Sequence, residues 1–507
     1  MKKELPPLNW TFDQKLRGLL ALINIALTVL AVWVSPVIND DGALYLAQAK
    51  AFSEGGFEAA WKVYNWPFYS FLIYIVHAVT WFGWEWSAYV VNMLCYALLF
   101  DCLYRLFRLV APDTSLGIWF AILLLCFTPL NDYRDMIVRD AGYWAFLVAA
   151  IYYFCRYIAQ PNAKRLLGWH GCALIAVLFR VEGVLVYIFL PFLALLLPEY
   201  RRRVIGNVIS LKLLPLLLLV ASVVAVMVFD YQARDFKKFS QLFNSATGFI
   251  NGVAGHVEGL TEHVLPKFSR DLAPFIYLGA MAFYLVAVIV QGVSYAWSLL
   301  FVWMFCRGKA NSVVEGRLMV TRIVLCAAII SMLTLYCFAL YRSFTTVRYM
   351  MPVILLLFFV ASFGLVRLAL NAGNGKWWAR AGLYLLLFYG FADPYVSSNI
   401  SKEAWPEVGD QISNVINSEM TLSNDQLLSH YAESKGVVWS SSYFTQDADW
   451  FKWFSGWLVK KGFKYLMLKE GGGVTEEALM AKVPFKLVET FELNKREKVL
   501  LFKVEAK

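Results

Sequence analysis

Two adjacent aspartates, Asp40-Asp41, follow the first long apolar run of the chain. A carboxylate held where a chain leaves a bilayer can take a proton from an acceptor hydroxyl or amine beside a lipid-linked substrate. The local sequence is Ser35-Pro36-Val37-Ile38-Asn39-Asp40-Asp41-Gly42-Ala43-Leu44-Tyr45, continuing as an amphipathic stretch to Phe52. Asn39 or Asp40 also suits a plain capping role, since both side-chain types accept the orphan N–H groups of a first helical turn.

Three more polar clusters stand out: Asp132-Tyr133-Arg134-Asp135-Met136-Ile137-Val138-Arg139-Asp140, Arg180-Val181-Glu182-Gly183, and Tyr341-Arg342 with Arg348-Tyr349-Met350-Met351-Pro352. Guanidinium forks bind phosphate bidentately. A donor whose phosphate leaves while an acceptor loses a proton needs both guanidiniums and a carboxylate. Each cluster has a structural alternative. Arg180 and Glu182 suit a mutual ion pair at a helix junction, Arg139 and Asp140 an interfacial snorkel and a cap, and Arg348-Tyr349 an interface anchor. Their convergence on one face of a membrane favours a site.

The elements that must position these residues are apolar runs of about 20 residues, long enough to cross a ~30 Å hydrocarbon core. Lys2, Lys3, Lys15 and Arg17 flank the first span, 18–36, and place the N-terminus in the cytoplasm. The short aromatic run Pro67–Phe82 is expected to lie in the outer interface. If it crossed, Arg105 and Arg108 at the end of span 84–104 would face outward. Further spans are expected at 116–131, 141–158, 168–180, 183–198, 207–229, 275–306 (overlong, so tilted or broken near Gln291-Gly292), 321–340, 350–368 and 377–394. That makes about eleven crossings. Lys164, Arg201–Arg203 and Lys309 fall in cytoplasmic loops, and all four polar clusters fall outside.

Composition agrees. The 507 residues are 60% hydrophobic and 16% charged, with a mean hydropathy of +0.57; a soluble chain carries about a quarter charged residues. The net charge is +10, while residues 396–507 hold 14 basic and 15 acidic side chains. The excess therefore lies in the membrane part, as cytoplasmic anchoring requires. Anionic lipid is the polyanionic partner this suits, and nucleic acid is not. The eight cysteines (95, 102, 126, 155, 172, 306, 326 and 337) are scattered through apolar runs with no CxxC or Cys/His spacing, and read as small core residues. The first apolar run has no small-residue cleavage site before Asp40, so an uncleaved anchor is expected.

Residues 396–507 are expected to form an external α/β module beyond a membrane domain of 1–395. Its expected helices are Glu407–Asn417 and Asp449–Lys461. Extended stretches are expected at Lys435–Ser440 and Phe463–Leu468, with a Gly471-Gly472-Gly473 turn, a short helix and a closing hairpin, Phe485–Leu493 with Lys498–Val504. No P-loop, strand–GxGxxG–helix unit, HExxH or GxSxG is present. Asp447-Ala448-Asp449 has the spacing of a nucleotide-sugar metal motif but precedes an aromatic helix, and is read as a cap.

In this order the motifs resemble the GT-C superfamily of lipid-phosphate-sugar-dependent glycosyltransferases. The bacterial members concerned are the aminoarabinose transferases, protein O-mannosyltransferases and rhizobial lipopolysaccharide glycosyltransferases. The resemblance runs through Asp40-Asp41, Trp66-Pro67-Phe68-Tyr69, Arg139-Asp140, Arg180-Val181-Glu182-Gly183, Arg348-Tyr349-Met350-Met351-Pro352 and the external tail. It implies a polytopic inner-membrane fold and a polyprenyl-phosphate sugar donor. The acceptor it implies is an envelope one: lipopolysaccharide or lipid A, protein, or another glycan. By the same resemblance one of the acidic pair is the catalytic base. Asp40 matches the first acidic position, and Asp41 stands where Glu is common. Arg180, Arg342 and Arg348 become candidate donor-phosphate ligands, with Arg139, Asp140, Glu182 and Tyr349 beside them. No cofactor is implied with certainty, and a divalent metal remains open. A transporter of a lipid-linked anionic glycan is the competing reading, and would show internal repeats and charges near mid-bilayer. A non-catalytic assembly partner is the third.

Overall fold

A computed structural model describes residues 10–197, 201, 237–301, 318–373, 377–396 and 404–504, apart from positions 36, 296, 299, 418, 433–436, 440–447, 471–482, 484 and 495–496. The expected crossing at 207–229, Arg202, Arg203, Lys309, Lys435, Asp447 and the Gly471-Gly472-Gly473 turn with its helix lie outside the described residues.

The chain enters on α1 (Trp10–Val34) and turns at once into α2 (Asp40–Val63), whose backbone kinks at Gly55-Gly56. The next helix, α3 (Phe68–Thr80), has 13 residues, about 20 Å at 1.5 Å per residue, too short to cross a bilayer. Next come α4 (Trp84–Val110), α5 (Thr114–Leu125), the single turn α6 (Thr128–Asn131), α7 (Asp140–Ala159), α8 (Ala163–Phe179) and α9 (Gly183–Ala194). After the break come α10 (Lys237–His263), α11 (Ala273–Val293), α12 (Leu318–Arg342), α13 (Val347–Gly373) and α14 (Trp377–Val396). The overlong stretch 275–306 does break, at Ser294, where φ is +70° directly after Gln291-Gly292-Val293.

Among the described residues five helices are long and apolar enough to cross a membrane: α1, α4, α11 with the 3₁₀ turn before it, α12 and α13. The expected spans 116–131 and 183–198 contract to 12-residue helices. In the first the chain leaves the helix at Cys126 and resumes as α6; in the second Pro191 lies inside the helix. At the centre, α4 buries one face completely, with Tyr96, Leu99, Phe100 and Leu103 at 0% exposure, while Leu94 on another face stays exposed, the i, i+3, i+4, i+7 stripe of a helix packed against its neighbours.

The tail folds as a five-stranded sheet in the order β2-β1-β3-β5-β4, from β1 (Thr421–Ser423), β2 (Val437–Trp439), β3 (Tyr465–Lys469), β4 (Lys486–Asn494) and β5 (Glu497–Lys503). The β2, β1 and β3 strands run parallel, while β5 is antiparallel to both β3 and β4. Central β5 buries four consecutive residues, Val499 to Phe502, the pattern of a strand covered on both faces. Phe454 and Leu458 of α17 (Ala448–Lys461) pack with Leu466, Leu468 and Phe502. Helices α15 (Trp405–Ile416) and α16 (Gln426–Ala432) instead join the apolar core of the helical domain through Trp405, Ile412 and Leu427.

Candidate functional site

Asn39 takes the N-cap position of α2, yet its side chain makes no cap bond. Its Oδ1 instead accepts the Ile137 N–H at 2.7 Å, tying the start of α2 to the 132–140 loop. Asp40 is the first helical residue, not a cap. Two residues upstream of Asp40, the Ile38 N–H donates to the Tyr431 hydroxyl of α16 at 3.1 Å, so the tail holds the acidic pair from the other side.

The 132–140 loop is pinned from below. Tyr89 and Asn92 of α4 donate to the carbonyls of Asp135 and Met136 at 3.0 and 2.7 Å. Arg134, fully buried, donates to the Asn131 and Asn24 side-chain oxygens at 2.8 Å each and lies over the rings of Tyr96 and Phe100. A buried guanidinium is tolerated only when its fixed donors are satisfied. Here they are satisfied by α1 and α6, with the α4 rings beneath, which sets the position of Arg139 and Asp140.

Gly142 does the same for the 180–183 junction. A Cβ there would sit 2.2 Å from the Phe179 ring, so only glycine lets α8 approach α7 closely enough for Arg180 to reach Asp140.

The result is an alternating chain of charges. Arg348 donates from Nη1 to Asp41 at 2.6 Å and lies with Nε 3.5 Å from Asp140. Asp140 also pairs with Arg180. Arg180 in turn donates from Nη2 to Glu182 at 2.9 Å and stacks over Tyr349, 4.4 Å from the ring centroid. Burial raises the pKa of Glu182, but the charge and bonds of Arg180 override it and hold it down at about 2. Asp140 is also the first residue of α7.

Arg139 differs from its neighbours. Among the described residues it has no carboxylate within ion-pair distance; it lies 5.7 Å over the Tyr64 ring and near Tyr45 and Arg180. Its donors are therefore the ones in the cluster that an incoming anion can take. A small cavity of ≈ 40 Å³ lies beside the chain, lined by Tyr143, Trp144, Ser331, Phe338 and Arg348, room for a few waters. Next to it, a cleft of ≈ 600 Å³ runs between α2 and α3, walled by Phe52, Phe57, Trp61, Trp66, Phe71 and Leu178. Trp66 donates its indole N–H to the Leu178 carbonyl at 2.6 Å. Leu178 is two residues from Arg180, so the apolar cleft and the charged chain adjoin.

Asp41, Arg139, Asp140, Arg180, Glu182, Arg348 and Tyr349, drawn from four separate stretches of sequence, thus come together. Asp40 is exposed at the rim, close enough to Asp425 of the tail to disfavour that residue's charge. Arg342 stays apart, exposed at the end of α12 beside Tyr341. Sequence reasoning assigned no role to Tyr45, Tyr64, Arg134 or Tyr431. Tyr45 had a signal, since it follows Asp41 by four residues and shares its helix face; Tyr431 had none. Burial, with Asp393 and Asp135 nearby, pushes the Asp132 carboxyl up to about 7. Among the described residues no three His, Cys, Asp or Glu side chains gather to hold a metal ion.

No protein-family model and no curated protein matches the chain. Among solved structures, ArnT from Cupriavidus metallidurans, determined in the apo state, matches over 96% of this chain and 98% of its own length. The TM-score is 0.56 and the sequence identity 14%. This end-to-end match establishes the fold: the helical architecture of ArnT, here with five helices among the described residues long and apolar enough to cross a membrane, carrying a C-terminal α/β module.

Proposed function

We propose that this protein is a glycosyltransferase. It moves a sugar from a polyprenyl-phosphate donor to an envelope acceptor (lipopolysaccharide or lipid A, protein, or another glycan) at the outer face of the inner membrane. The observation that carries this is the Asp41–Arg348–Asp140–Arg180–Glu182 chain, with Arg139 left to take an anion.

In the reaction, an acceptor O–H or N–H attacks the anomeric carbon from the face opposite the phosphate. The C–O bond to phosphate breaks with inversion, its electron pair staying on the polyprenyl phosphate. The acceptor proton passes to Asp40. Arg139 bonds the phosphate oxygen on which charge develops, where a preorganised donor lowers the barrier most. Asp41 has its carboxylate engaged by Arg348 at 2.6 Å. We assign it to fixing the first turn of α2 so that Asp40 faces the acceptor. Arg180 is already committed to Asp140 and Glu182 and serves to hold the site together. The aromatic cleft suits the isoprenoid chain of the same donor, being apolar and lined by Leu178, two residues from Arg180.

Purified protein in lipid nanodiscs, given a radiolabelled polyprenyl-phosphate sugar and an envelope extract, tests the reading. Label appearing on an acceptor supports it. Label moving between leaflets without transfer would indicate the transporter instead, and neither outcome would leave an assembly role.

A further inference from the structure

On α4, Glu85 meets the tail through His430 at 2.9 Å, while Arg105 lies 20 residues further along the same helix, about 30 Å at 1.5 Å per residue. That is the thickness of a hydrocarbon core, so the end of α4 that carries Arg105 stands at the opposite membrane surface from the charged chain. Four arginines gather there from four helices. Arg17 of α1 and Arg105 of α4 share one carboxylate, Asp101, with Arg105 Nε at 2.7 Å from it. Arg105 and Arg156 of α7 share one aromatic ring, their guanidinium carbons 6.0 and 5.8 Å from the Tyr152 centroid. Arg156 donates to the Tyr152 hydroxyl at 2.8 Å, and its Nε is buried with no hydrogen-bond partner. Arg165 of α8 donates to the carbonyls of Arg156 and Gln160, where α7 ends.

Arg165 is accounted for by those carbonyls, as a cation at a helix C-terminus. Arg105 and Arg156 keep donors beyond their contacts with Asp101 and Tyr152. Two positive groups flank one ring, with a single carboxylate that already serves Arg17, and both side chains are partly exposed. The surface is one that lipid headgroups reach, and phosphodiester oxygens match the guanidinium fork. We infer that Arg105 and Arg156, on either side of Tyr152, form a binding site for the phosphate of an anionic phospholipid of the inner leaflet.

Native mass spectrometry of the full-length protein, titrated with phosphatidylglycerol or phosphatidylcholine, tests this. Wild type should retain phosphatidylglycerol selectively. Each of Arg105→Gln and Arg156→Gln should weaken retention about fivefold, the effect of about 1 kcal/mol per basic residue at an anionic surface. Equal retention of the two lipids, or unchanged retention in the double variant, would overturn the inference. Should the double variant fail to fold, a headgroup-diazirine phosphatidylglycerol on wild type decides. Cross-links within 101–108 and 152–165 support the site, and cross-links only elsewhere refute it. Inorganic phosphate binding as tightly as the lipid, with the same arginine dependence, would show a soluble anion site instead.

Discussion

Asp40→Asn separates a catalytic carboxylate from a structural one, because the structure limits what else the change can do. Asp40 is the first helical residue of α2, and the cap position belongs to Asn39, whose side chain is spent on the Ile137 N–H. Replacing Asp40 by Asn therefore removes no cap. The change also keeps the size and shape of the side chain at an exposed position. If Asp40 is the base, turnover should fall by about 10²–10⁴, which is about 2.7–5.5 kcal/mol of barrier. Asp41→Asn should behave differently. It releases Arg348, but that pair is 22% and 41% exposed, so screening limits the loss to about 1 kcal/mol, and Asp140 remains 3.5 Å from Arg348. The assay is single-turnover transfer from a radiolabelled polyprenyl-phosphate sugar, alongside thermal melts in the same detergent. Full activity in Asp40→Asn with loss in Asp41→Asn would pass the base to Asp41. Full activity in both would refute the mechanism.

Arg139→Gln should raise the donor KM about 10–100-fold, the loss of a charge-assisted contact worth about 1.5–3 kcal/mol; unchanged donor kinetics would remove Arg139 from the phosphate site. Gly142→Ala should lower both Tm and activity, since its Cβ meets Phe179 at 2.2 Å, whereas Gly18→Ala, with nothing within 4 Å, should do neither. Asp132→Asn should stabilise the protein at pH 8 and not at pH 4. The folded pKa of Asp132 is raised from 3.8 to about 7, so the fold loses stability as pH rises through that window, by at most about 4 kcal/mol; equal melting shifts at both pH values would refute it. Cysteines placed at the exposed positions Lys164 and Lys460 should label from the cytoplasmic and outer sides respectively, and labelling of both from one side would overturn the topology.

Much of the architecture was legible because its cause is local. A bilayer imposes a length and an apolar composition on each span, so the first span, 84–104, 321–340 and 350–368 all reappear as long apolar helices. Pro67–Phe82, too short to cross, is the 13-residue α3. In the tail, the alternation of 485–493 and 498–504 emerges as β4 and β5. The strand Thr421–Ser423 escaped notice, since three residues carry no period. Its place at the parallel centre of the sheet depends on β2 and β3 on either side.

The sequence by itself determined which residue types could do chemistry: an acidic pair after the first span, then Arg139-Asp140, Arg180 with Glu182, and Arg348-Tyr349. Charges are expensive at a membrane, so their survival in apolar surroundings marks them. Their partnership was decided only by tertiary structure. Arg180, a candidate phosphate ligand with a Glu182 ion pair as its structural alternative, does make that pair, but its deeper partner is Asp140, 40 positions away. Asp41 meets Arg348 from the far end of the chain, while Arg342, six residues before Arg348, is left outside. A guanidinium's role depends on which carboxylates reach it first. That follows from how close α7 and α8 approach at Gly142 and how the loop is pinned by Arg134, and neither distance is written in the spacing of residues along the chain.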